Sequence, residues 1–177
     1  MDIREALDTD LQDVLAVERA AFGQEEEAEL VRALLRDPSA RPLYSLLAFQ
    51  GDQAVGHILF TAATLAETRQ QMAAMILAPL AVVPSHQKQG VGAALMVRGL
   101  ELLDVSGVEL VFVLGHTGYY SRFGFASAGR LGFAPPHPVP EKYADAWMVR
   151  ALRPGLIGAV NGTVICAEAL NKREYWR

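Results

Sequence analysis

The chain has 177 residues, enough for one hydrophobic core with little room for a second. Apolar residues make up 51% and charged residues 20%, with a mean hydropathy of +0.18, which excludes a mostly disordered chain. Sixteen basic against twenty acidic residues give a net charge of −4, so there is no net attraction to nucleic acid or to an anionic membrane surface.

The longest uncharged apolar stretch, residues 73–83, is interrupted by Pro79 and falls far short of the roughly 20 residues of a membrane-spanning helix. A soluble protein is expected. The single cysteine, Cys166, cannot form an internal disulfide, and the opening Met1-Asp2-Ile3-Arg4-Glu5 lacks the basic-then-apolar layout of a secretory signal. Both point to a cytoplasmic address. Four scattered histidines, His57, His86, His116 and His137, show no pair at metal-ligand spacing, so no metal is expected.

In chain order, a strand at residues 3–4 leads to a helix that Thr9 and Gln12 would open as a capping box. Its apolar stripe is Leu11, Val14, Leu15, Ala21 and Phe22. Glu18 interrupts that stripe, and reads either as a carboxylate at its rim or as a partly buried base. Residues 26–36 repeat the helical period through Leu30, Val31, Leu34 and Leu35, and Asp37-Pro38 ends that helix. Strands at 44–49 and 54–61 flank a turn at 50–53 and should pair as an antiparallel hairpin.

Residues 73–83 read as a central strand buried on both faces, with a bulge or splay where Pro79 cannot donate to the ladder. A helix over 90–105 and a strand over 109–114 complete a βαβ-like unit with parallel strands, whose ligand belongs at the carboxyl ends of those strands. Further on come a helical turn at 118–122, a short extended piece at 125–128, a proline-rich surface loop at 135–140 and a strand at 146–152. Asn161-Gly162 predicts a hairpin between 156–160 and 163–167. The expectation is one α/β domain over 1–177, a mixed, splayed sheet flanked by helices, with a core to about residue 152 and a C-terminal hairpin extension at about 153–177 that could serve as a dimer surface or a substrate lid.

The segment after Val83 carries the chemistry. Two glycines, Gly90 and Gly92, open a helix whose free N–H groups and dipole favour phosphate oxygens, while Gln87, Lys88 and Gln89 add side-chain donors. It is not a Walker A loop, and Leu95 stands where a dinucleotide fingerprint has its third glycine. A nucleotide-binding enzyme is thereby disfavoured, since residues 110–113 are also wholly apolar where an acidic ribose partner would be needed.

Gln87-Lys88-Gln89-Gly90-Val91-Gly92, directly after an apolar strand, resembles the GNAT superfamily of acetyl-CoA-dependent N-acetyltransferases. The resemblance implies that residues 87–93, from Gln87 through Val91 and Gly92 to Ala93, cradle the coenzyme A pyrophosphate. It implies also that Leu80, Ala81 and Val82 line the pantetheine, with backbone contacts from Leu80 and Val82. A second segment, Gly118-Tyr119-Tyr120-Ser121-Arg122-Phe123-Gly124-Phe125, is similar to the family's Tyr-x-x-x-Gly-Phe stretch, which makes Tyr120 the tyrosine beside the thioester sulfur and Phe123 a coenzyme contact. The chemistry agrees: a phenol of pKa about 10 stays protonated at neutral pH and can donate to a departing thiolate whose conjugate acid lies near 8.5. Tyr119 would pack or touch substrate, and Arg122 would face solvent or a phosphate.

The asparagine often found upstream in the family is replaced by Leu114-Gly115-His116-Thr117. The doubled tyrosine most resembles a bacterial subgroup of N-acetyltransferases with unassigned substrates. The implied reaction is acetyl transfer from acetyl-CoA to a primary amine by direct attack in a ternary complex; a non-catalytic acyl-CoA-binding regulatory module is the alternative. Base candidates are Glu18, His57 and His116, and Cys166 reads as a small core residue. Polyamines, aminoglycoside-like antibiotics, amino acids and peptide N-termini remain equal as acceptors, and a homodimer is possible.

Overall fold

The computed structural model describes residues 1–68 and 71–177. Strand β1 (Asp2–Glu5) is followed by helices α1 (Leu11–Phe22) and α2 (Glu26–Arg36), strands β2 (Tyr44–Gln50), β3 (Gln53–Leu65) and β4 (Ala74–Val82), helix α3 (Val91–Val105) and strand β5 (Leu110–Leu114). Then come the single turn α4 (Thr117–Tyr120), strands β6 (Ala126–Ser127), β7 (Phe133–Ala134), β8 (Trp147–Ala151) and β9 (Gly162–Ile165), and short 3-10 turns to the C-terminus.

The main sheet runs β1-β2-β3-β4-β5-β8-β6. All its pairings are antiparallel except β4 with β5, where Ala74 to Leu77 lie beside Leu110 to Val113 in parallel, with α3 as the crossover. Strands β4 and β5 in the middle of the sheet are apolar without interruption because each feeds two cores. Leu47, Leu59, Ile76, Phe112 and Trp147 point to the side of α1 and α2, and Leu46, Ile58, Met75, Val111 and Met148 point to the side of α3. Among the described residues no helix is long and apolar enough to cross a membrane.

The bulge expected at Pro79 is present. Ile58 faces Leu80 and Phe60 faces Leu77, so Ala78 and Pro79 together oppose Leu59 alone. Beyond Leu77, β4 also leaves β5, and the two parallel strands splay into a V.

Helix α1 begins differently from the expected Thr9 capping box. A 3-10 turn at Asp8–Asp10 precedes it, and the Asp10 carboxylate accepts the Leu7 N–H at 2.7 Å and a two-pronged ion pair from Arg4 at 2.7 and 3.0 Å. Those contacts, the Arg4 hydrogen bond foremost, hold the Asp10 carboxyl down at about 2. Because the folded value lies below the ordinary carboxylate value, this contribution to stability is present above the ordinary value and is lost as pH falls toward about 2. Acid-unfolding curves of Asp10→Asn should therefore lack that part of the wild-type slope; superimposable curves would show that the ion pair contributes nothing.

The C-terminal hairpin does not form. Residues 156–160 make a turn containing Gly158 at φ +88°, with Gly155 at φ +84° just before it, conformations that a β-strand cannot hold. Asn161-Gly162 instead releases β9 to pair antiparallel with the far end of β3, Thr64 and Leu65 opposite Ile165 and Val164, and parallel with β7. The remaining tail folds back over the core beside α2, where Leu170 and Trp176 are buried; Trp176 stands edge-on to Trp147 and donates its indole N–H to the Leu170 carbonyl at 3.1 Å.

Candidate active site

The splay of β4 from β5 opens a cavity of about 450 Å3. Its floor is Ile76 to Leu80 and Val113 to His116, and Tyr120 closes one side. The opposite walls come from Phe22, Glu26, Glu27 and Leu30 at the α1–α2 junction and from Leu170, Glu174, Tyr175 and Trp176 in the tail.

Backbone groups that β3 does not use face this gap. The Val83 N–H donates to the Val55 carbonyl at 2.9 Å and Gly56 lies opposite Val82, which makes Val82 and Leu80 members of the widely spaced pairs of the ladder. Their N–H and C=O groups therefore turn away from β3 toward the splay, while Ala81 bonds across to His57. With β5 absent at this level, an extended ligand can take its place along β4.

At the open end, residues 84–90 turn sharply into α3. Lys88 has φ +61° and Gly90 φ +86°, a left-handed path in which successive N–H groups converge. The glutamines brace this turn: Gln87 donates its side-chain amide to the Val82 carbonyl at 3.0 Å and Gln89 to the Ser85 carbonyl at 3.1 Å. Each amide keeps one N–H, and the exposed Lys88 ammonium has no ion-pair partner among the described residues. Val91 is buried beneath the turn, while Gly92 and Ala93 are partly exposed in the first turn of α3. This concave set of amide donors at a helix start, with a lysine beside it, fits a pyrophosphate.

Between loop and cavity lie the two tyrosines. The Tyr119 hydroxyl sits where a Cβ on Gly92 would come within 2.7 Å, so Tyr119 covers the start of α3, under the Arg122 guanidinium at 4.9 Å from its ring. Sequence reasoning assigned Tyr119 no definite place; its signal was only the neighbouring tyrosine. Gly92→Ala should push the hydroxyl aside and fill the ligand's approach to the turn, weakening coenzyme binding by about tenfold, or ~1.4 kcal/mol, with the fold intact. Calorimetry on the variant checks this, and unchanged affinity would mean that no ligand group approaches Gly92.

Tyr120 packs its ring against Gly115 and edge-on to Phe125, with no hydrogen bond to its hydroxyl among the described residues. Burial, followed by the nearby Tyr119, pushes its pKa up, so the hydroxyl keeps its proton. Phe123 lies against Tyr119 at 5.4 Å, its carbonyl held by the Arg150 guanidinium at 2.8 Å.

Glu18 is neither at a rim nor in the cavity wall. It is fully buried, its Oε2 2.6 Å from His57 Nδ1, and His57 Nε2 lies 2.8 Å from the Ser45 hydroxyl. Nδ1–H donating to Glu18 and the Ser45 O–H donating to Nε2 satisfies the histidine at both ends. Glu18 Oε1 has no partner among the described residues, and burial raises the carboxyl pKa against the opposing pull of the His57 bond. The structure thus joins two residues that the sequence offered as separate base candidates. The third, His116, is exposed and lines the cavity next to Tyr120. Cys166 is half-buried, its thiol pushed up to about 11 by burial. Among the described residues no three histidine, cysteine or acidic side chains gather to hold a metal.

A family model described as an acetyltransferase (GNAT) domain matches residues 2–128. The chain belongs to the GNAT acetyltransferase family. The chain is 45% identical over 161 residues to the uncharacterized N-acetyltransferase YjhQ of Escherichia coli, covering 90% of this chain and 88% of that one. Its fold is similar to that of YhbS from Escherichia coli, a GNAT N-acetyltransferase solved in complex with CoA, with a TM-score of 0.86, 28% identity and coverage of 97% and 92%. A GNAT acetyltransferase from Brucella melitensis, solved with acetyl-CoA, superposes with a TM-score of 0.75 at 27% identity, covering 96% of this chain and 97% of that one. The GNAT match stops at residue 128, so β8, β9 and the tail that walls the cavity lie beyond it. Glu26 and Glu27, with Glu174, Tyr175 and Trp176 from the tail, line this cavity and were missed by the sequence reading, because nothing local marks them.

Proposed function

We propose that the protein transfers an acetyl group from acetyl-CoA to a primary amine by direct attack in a ternary complex. The observation that carries this reading is the splayed gap itself, with the outward backbone of Leu80 and Val82 along one edge, the amide-rich turn at one end and the protonated Tyr120 hydroxyl at the cavity. On this reading Gln87 to Ala93 hold the pyrophosphate and Leu80 to Val82 hold the pantetheine arm. The thioester then sits beside Tyr120, and Phe123 supports Tyr119 against the same arm.

The amine nitrogen attacks the thioester carbonyl carbon, the tetrahedral adduct collapses with loss of the C–S bond, the departing sulfur takes the Tyr120 proton, and the proton shed by the attacking nitrogen returns to the Tyr120 oxygen. The products are an acetamide and free CoA. The ammonium must first lose a proton. His116 and Glu27 stand in the cavity wall to receive it, whereas burial and the bond to His57 favour a positioning role for Glu18. Among the described residues no cysteine or serine stands in the cavity wall, which supports direct attack over a covalent acyl-enzyme.

Calorimetric titration with acetyl-CoA, with NADH and ATP as controls, followed by thiol release across a panel of amines, tests the proposal. Acetyl-CoA binding with amine-dependent thiol release is the expected result. Binding without release from any amine would favour a regulatory module, and no binding would overturn the reading altogether.

A further inference from the structure

The geometry points to an acceptor that is a small polycationic amine: one amine attacks the thioester while at least one further ammonium is held among Glu26, Glu27 and Glu174. This inference rests on the acetyl-transfer reading for the site but goes on to specify the acceptor. The cavity is defined by the splayed strands and Tyr120; its far walls decide what it accepts. Among the described residues no lysine or arginine lines it, and none of the three carboxylates has an ion-pair partner.

Glu26 and Glu27 occupy the first turn of α2, where the helix dipole favours carboxylates. Glu174 belongs to a four-residue 3-10 turn, Arg173–Trp176, too short for a comparable dipole. It arrives from the tail and adds a third negative charge to the same cavity, an arrangement that a bound cation relieves. The convergence is felt at Tyr175, whose hydroxyl is pushed up first by burial and then by the charges of Glu174, Glu26, Glu29 and Glu27. Phe22, Tyr175 and Trp176 supply aromatic surface between the carboxylates, a composition suited to alkylammonium groups. The volume of about 450 Å3 suits a small molecule and not a folded partner. A free amino acid brings its own carboxylate into this field and is disfavoured.

The test compares a linear diamine, the monoamine of the same chain length and the ω-amino acid of the same length, by thiol release with acetyl-CoA and, independently of turnover, by calorimetric binding to the protein. The diamine should exceed the monoamine by about tenfold in kcat/KM and the ω-amino acid should be the poorest. In Glu174→Gln and Glu26→Gln the diamine's KM should rise by about two- to fivefold while the KM for acetyl-CoA stays unchanged, and added salt should erode the diamine's advantage. Equal binding of diamine and monoamine, or a diamine KM that ignores both substitutions, would overturn the inference while leaving acetyl transfer standing. Failure to bind acetyl-CoA would instead count against the transfer reading, and the diamine binding comparison would still decide the inference. An aminoglycoside in the same assays separates ring-borne from linear polycations.

Discussion

Tyr120→Phe is expected to lower kcat by about 10²- to 10³-fold while leaving acetyl-CoA affinity within about twofold, the range for loss of one positioned proton donor. The ring stays, with its contacts to Gly115 and Phe125, so the cavity keeps its shape. Only the hydroxyl is lost, and with it the proton for the thiolate. Because burial raises the Tyr120 pKa, the wild-type rate should not fall between neutral pH and the ordinary phenol range on account of this group. Stopped-flow thiol release with saturating acetyl-CoA is the measurement. An unchanged kcat would mean that solvent protonates the sulfur, and a loss of affinity as large as the loss of rate would make Tyr120 a packing residue.

Glu18→Ala should destabilise the fold by about 3–5 kcal/mol, the range for removing one partner of a buried pair. The substitution strands the His57 imidazole, which is fully buried and would keep only Ser45. Denaturant unfolding reads the loss directly. Replacing both residues, Glu18→Met with His57→Leu, should recover much of it, since the desolvation penalty of both groups disappears together. The experiment also settles which role Glu18 has. A variant whose stability is untouched but whose turnover collapses would identify the carboxyl as the base, against the positioning role argued from its burial.

The parts of the fold that the sequence reveals are those where a local rule has no competitor. The apolar period of α2 ends at Asp37-Pro38, that of α3 at Ser106-Gly107, and Pro79 could sit in a buried strand only by breaking its ladder. The phosphate turn is equally local, since its glycines and its helix start are adjacent in the chain. What escapes is whatever depends on distant partners. Asn161-Gly162 is a sound turn signal, but whether β9 pairs with the segment before it or with Thr64 and Leu65 is decided by the glycine-broken stretch at 155–158 and by a strand edge nearly a hundred residues away. The same holds for Ser45, His57 and Glu18. Each looks like a lone polar residue in an apolar segment, and only the docking of α1 on β3, itself paired with β2, makes them one chain of hydrogen bonds.

The two cores draw on different lengths of the chain. On the α3 side the buried residues run from Val17 to Met148, so this buried core uses nothing beyond β8. On the α1–α2 side the core also requires Val164, Ala167, Leu170 and Trp176. Leu15, Val31 and Leu34, near the start of the chain, thus share their core with Trp176 at its end. The core beside α1 and α2 is therefore completed only by the last strand and the tail, and a chain truncated after residue 152 would keep the α3-side core while exposing an open apolar face, a substrate for chaperones.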